Sequence, residues 1–159
     1  MTVRVYVPAS ARMLGALKAD GRLPGPVEAC GVTPDVRAAL ADLDEEELEY
    51  AAFVEAAQRS LLLLGDGPMR RVVVSADVAG AAPGEGSAGL VLADGLALAQ
   101  VAAVHADEAA AERAVAAARA GGQGAAEAAD DHDLLWFAPQ EIAELLAELS
   151  AGGPFSGGG

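Results

Sequence analysis

The chain has 159 residues, 53% of them apolar but only 4% aromatic, with a formal net charge of −14. That length suits one domain, and so acidic a surface repels phosphate backbones and anionic lipid, which excludes nucleic acid and membrane as direct partners. A single cysteine, Cys30, excludes an internal disulfide, and no stretch approaches the roughly 18 apolar residues that span a bilayer.

Val3–Val7 alternates and is β-branched, which predicts an opening strand ended by Pro8. Ser10 caps a short helix with Met13, Leu14 and Leu17 inward, stopped at Asp20-Gly21. A second strand is expected over Val27–Val32, with Cys30 as a buried, inert thiol because no His or Lys stands nearby in sequence. Thr33-Pro34-Asp35 supplies a cap oxygen, a residue suited to the first helical position and a favourable charge, so it opens a helix reaching about Leu40.

The strongest helical signal is Asp44–Leu64. Tyr50, Phe53, Val54, Ala57, Leu61 and Leu64 fall on one stripe, and Glu45, Glu46 and Glu49 enrich the first turns with charge that suits the helix dipole. Arg71–Ala76 reads as a central strand because its valine run suits burial on both faces. Residues 79–89 read as a flexible connection. Leu90–Ala106 holds one long strand or two short ones split at Asp94-Gly95, with a strand favoured over Leu98–His105. Asp107 is placed to cap a helix through about Ala120, and residues 121–130 form a Gly/Ala linker. Asp133–Phe137 is a further strand. Pro139 starts a final helix with Ile142, Leu145, Leu146 and Leu149 inward. Residues 1–150 are then one domain, followed by a disordered Gly-rich tail over 151–159.

The fold class expected is α/β or α+β: a single mixed sheet of about five strands with parallel crossovers, packed with helices. A ferredoxin-like sandwich with a helical insertion at 34–64 is one arrangement, and an open mixed sheet with helices on both faces is the other. The 39 alanines bury little area each. At roughly 25 cal/mol per Å² the large side chains must carry the burial, so Leu, Val, Ile, Phe, Tyr and Trp are expected in the core throughout.

The segments RVYVPA, VTPDVRAAL, DEEELEYAAFVEAAQRSL, RRVVVSADV and DDHDLLWFAPQEI, in that order, resemble a family of small uncharacterised actinobacterial proteins. The resemblance covers nearly the whole chain apart from linkers and tail, and implies a cytosolic protein without an assigned activity. Nine Arg against one Lys, with heavy use of Ala, Gly, Val and Pro, independently suggests a high-GC bacterial genome. The N-terminus has no charged segment followed by an apolar run, so a cytoplasmic location is expected.

Strong catalytic motifs are missing: there is no GxGxxG after a strand, Walker loop, GxSxG or HExxH. Both histidines stand among acids. His105 precedes Asp107 and Glu108, and His132 lies within Asp130-Asp131-His132-Asp133. If the two strand ends meet, His105, His132, Asp131 and Asp133 could hold a divalent cation that activates water; the competing reading of DDHD is a solvated strand entry. Glu45, Glu46 and Glu49 offer paired carboxylates for acid–base work, or simply a solvated first turn. Arg70-Arg71 could pair with that acidic helix start or receive an anionic ligand. Arg4 could form a buried ion pair with a glutamate or read an anion. Trp136 and Phe137 point to opposite faces, so one needs cover from the last helix, a ligand or another chain.

The reading that follows is a non-catalytic interaction or regulatory protein acting on a protein partner or on itself, without a cofactor. A metal-assisted hydrolase and a domain binding a small anionic ligand through Arg4, Arg70 or Arg71 are the alternatives.

Overall fold

The computed structural model describes residues 1–121, 124, 128–129 and 132–151. Asp131, most of the expected linker and the tail beyond residue 151 lie outside them.

The elements are β1 (Val3–Ala9), α1 (Ala11–Asp20), β2 (Arg22–Leu23), β3 (Val27–Cys30), α2 (Pro34–Ala39), α3 (Glu45–Ser60), β4 (Val72–Val78), β5 (Ala82–Pro83), β6 (Gly89–Leu92), β7 (Leu96–Ala97), β8 (Val101–Asp107), α4 (Glu112–Ala120), β9 (Leu134–Phe137) and α5 (Ile142–Ala151), with short 3-10 turns between several of them. The α+β class expected from the sequence holds.

Seven strands, not five, form the main sheet in the order β5-β6-β3-β1-β4-β8-β9, while β2 and β7 make a separate ribbon. Every neighbouring pair is antiparallel. The sheet is therefore antiparallel throughout rather than mixed. A crossover survives in split form. β3 and β4 run the same way on either side of β1, joined by α2 and α3. The segment 90–106 explains the larger count. Gly95, at φ +84°, reverses the chain after β6, so β6 joins β3 toward one edge while β8 joins β4 on the other side. Residues 98–100 form a 3-10 turn rather than the strand expected from Leu98. The stretch 79–89, expected as a flexible connection, contains edge strand β5.

Local signals place the helices. Ser10, Thr33 and Asp44 each accept a hydrogen bond from the backbone three residues on, and Asp44 and Glu47 form a reciprocal capping box. Asp107 is no helix cap. It ends β8, and α4 begins only at Glu112.

The two faces of the sheet differ in cover. One carries Val5, Val7, Val72, Val74, Ala76, Val104 and Ala106 against Leu14 and Leu17 of α1 and Ile142, Leu145 and Leu149 of α5. The other carries Tyr6, Cys30 and Val73 against Leu48, Ala52, Ala56 and Ala57 of α3. The buried Ser60 at the end of α3 donates to the Ala9 carbonyl at 2.7 Å and accepts from the Val72 amide at 3.1 Å, tying the helix to β1 and β4. Large apolar residues are not confined to the core: Val3 is half exposed, and Leu62, Tyr50 and Trp136 are more than half exposed.

Candidate functional site

The exposed aromatics mark where α3 fails to cover its face. The stripe expected to be its core side (Tyr50, Phe53, Val54) instead looks into a groove of about 610 Å³ over β1, β4, β8 and β9. The adjacent stripe, Leu48, Ala52 and Ala56, is the buried one. The groove volume falls in the range of small-molecule sites.

Period-two alternation sets the floor. Arg4 and Tyr6 of β1, Ser75 of β4, Ala103 and His105 of β8, and Leu134 and Trp136 of β9 all point to the α3 side. Register aligns His105 with Trp136 and Ser75 with Ala103. Between Ser75 and Ala76 the register slips by one residue, a bulge beside the floor of the groove.

Phe53 is the hub of the site. Its ring meets Tyr6 edge-on at 6.0 Å, stacks on Tyr50 at 6.2 Å and meets the His105 imidazole edge-on at 4.9 Å. His105 Nε2 lies 2.9 Å from Ser75 Oγ. Burial, helped by the Arg4 charge, pushes the His105 pKa down to about 4, so the ring is neutral near pH 7. Burial and the nearby Glu49 carboxylate raise the Tyr6 phenol.

The arginines have fixed partners. Arg4 is bidentate to Asp77 (2.7 and 3.2 Å), a half-exposed pair rather than the buried glutamate pair expected. Arg71 is buried at the end of the groove. Its Nε and Nη2 donate to the buried Asp107 at 2.8 and 2.9 Å, and Nη2 also reaches the carbonyls of Ala129 and His132 at 2.9 and 3.1 Å. Arg70 points elsewhere. It is buried, 3.8 Å from both Glu112 and Glu148, so neither Arg70 nor Arg71 pairs with the acidic start of α3. Glu45 of that start is bidentate to Arg37 (2.7 and 2.9 Å), which lowers its pKa.

His105, His132 and Asp133 all line the groove, as a converging site requires. Even so, among the described residues no three of His, Cys, Asp or Glu stand close enough to share a metal ion. Cys30 is fully buried, with its thiol pushed up to about 11 by burial. A second hollow, of about 730 Å³, lies beside Pro8, Pro26, Leu62 and Leu63. Its one cation, Arg59, is engaged by Glu55 at 3.0 Å and by the Glu85 carbonyl at 2.8 Å.

Sequence reasoning missed Tyr6, Tyr50, Phe53 and Ser75 as site residues. Ser75, a hydroxyl inside a valine strand, was the one local signal.

A model of the family of unknown function DUF6912 matches residues 3–146. The chain belongs to that family. No curated protein and no solved structure matches it. For DUF6912 the groove geometry therefore carries the functional argument. No described helix is long and apolar enough to cross a membrane.

Proposed function

We propose that the chain is a non-catalytic domain that binds a small molecule in the groove between α3 and the sheet. One observation carries the reading. A chain with only six aromatic residues commits four of them, Tyr6, Tyr50, Phe53 and Trp136, to that groove and leaves Tyr50 and Trp136 61% and 62% exposed. Bare aromatic surface in a concavity is stabilised by an occupant. The Ser75–His105 pair gives the ligand a neutral polar anchor on the floor. The pairing of both groove arginines with aspartates argues against the anionic ligand that was one alternative from the sequence. Composition supports an actinobacterial, cytoplasmic protein.

Trp136 is the sole tryptophan, so its fluorescence reports occupancy directly. A screen of small molecules of mixed charge is expected to yield compounds that shift Trp136 emission and raise Tm, with both effects lost in Phe53→Ala. A broad screen in which neither signal moves would end the reading.

A second reading rests on Leu135, 43% exposed on the other face of the same edge strand. Two copies joined along β9 would cover it. Sedimentation velocity decides: a monomer at tens of micromolar removes self-association.

A further inference from the structure

The charges around the groove allow the ligand class to be named, on the reading that the groove binds a small molecule. Two arginines and three carboxylates line it: Arg4, Arg71, Glu46, Glu49 and Asp133. Both arginines are already neutralised by carboxylates outside that set, Arg4 by Asp77 and Arg71 by Asp107. Asp77 also acts on Arg4 more strongly than Glu49 does. None of Glu46, Glu49 and Asp133 has an ion-pair partner within 4 Å among the described residues. Glu49 faces the Tyr6 phenol, and the Arg4 and Arg37 guanidiniums act on it only from beyond ion-pair distance. His105 is neutral near pH 7 and adds no positive charge. The site thus combines carboxylates that lack a close ion-pair partner among the described residues with the faces and edges of several rings.

That combination has a defined chemical complement. Ring faces present the negative part of a quadrupole and attract a cation held within about 6 Å, most strongly one with a greasy, weakly hydrated shell. Carboxylates along the same walls add attraction and would repel an anion. A metal ion would instead call for ligands close enough to share it, and the described residues offer no such group.

We infer that the groove binds an organic ammonium ion, its alkylated nitrogen against Tyr50, Phe53 and Trp136 and its charge facing Glu46, Glu49 and Asp133.

Three compounds of one shape test this on the full chain: choline, its uncharged carbon isostere neohexyl alcohol, and tert-butylacetate. Affinity is read from Trp136 fluorescence and, independently, from NMR shifts of the Phe53 and His105 rings. Choline is expected to bind about tenfold more tightly than the alcohol, with tert-butylacetate weakest. The preference should shrink in Glu46→Gln/Glu49→Gln/Asp133→Asn, whose substituted side chains keep their size, and at high salt. Equal or tighter binding of the alcohol or the carboxylate overturns the inference while leaving the groove a ligand site. No binding of any of the three at millimolar concentration overturns it as well, and the mixed-charge screen above then decides separately whether the groove binds anything.

Discussion

The two faces of the sheet are built from the same strands yet do different work. Toward α1 and α5, alternate residues are aliphatic and sealed: Val5, Val7, Val72, Val74, Leu14, Leu17 and Ile142 are all fully buried. Toward α3, alternate strand residues are Arg4, Tyr6, Ser75, His105 and Trp136, and α3 with the short α2 covers only part of that face. The longer helices α1 and α5 close the opposite one. The uncovered remainder is where polar and aromatic groups collect, because there they retain access to water or to a ligand.

Substitutions sharpen that contrast. The largest effect is expected where the open face is pinned by buried charge. Asp107→Ala removes the buried carboxylate that accepts from Arg71 Nε and Nη2 and should cost about 3–5 kcal/mol in urea unfolding. Arg71→Met together with Asp107→Leu should recover most of it, and a double variant as unstable as the single one would show that the other contacts of Arg71 dominate. On the sealed face, Leu17→Ala should cost about 2–5 kcal/mol, whereas Tyr50→Ala on the open face should stay within about 0.5 kcal/mol. Equal losses would erase the distinction between core and groove.

Next in size is Gly95. At φ +84° it sits where a Cβ would stand 2.0 Å from the Leu23 carbonyl oxygen. Gly95→Ala should therefore destabilise by about 1–3 kcal/mol and loosen the β2–β7 ribbon, read by amide exchange at Leu23 and Leu96.

A pH dependence is expected from the open face as well. The folded pKa of His105, about 4, lies below its ordinary value of 6.5. The unfolded chain therefore binds the proton more readily, and this contribution to stability is complete above pH 6.5 and lost as pH falls from there toward 4. In His105→Gln the urea midpoint should change less over that window than in the unsubstituted chain; an unchanged slope would mean that the ring is not protected from protonation.

What the sequence made legible was local. Ser10, Thr33 and Asp44 declare their helices because a cap needs only a side chain and the next turn. Strand pairing was not legible. Whether β6 and β8 are one strand or two turns on Gly95, and which neighbours they join depends on residues far away. The groove was hidden for a related reason. Tyr50, Phe53 and Val54 form the same stripe whether a strand covers them or a ligand does, and nothing local shows that Leu48, Ala52 and Ala56 take the buried side. His105 and His132 do reach one groove, but among the described residues no three ligating side chains stand close enough there to hold a metal, and His105 packs on the Phe53 ring instead.

The central position of β1 has a consequence in time. It leaves the ribosome before the other strands of its sheet, yet seven of its residues pair with β4, from Val3↔Val78 to Ala9↔Val72. An apolar strand thus waits through the synthesis of roughly seventy residues before its principal partner exists, a delay of several seconds at ordinary elongation rates. During that interval α1, the short β3 and then α2 and α3 are what can shield it, and Tyr6↔Cys30 is the one register pair that β3 offers. The chain is therefore expected to fold slowly for its size and to be most vulnerable to aggregation while it is still being made.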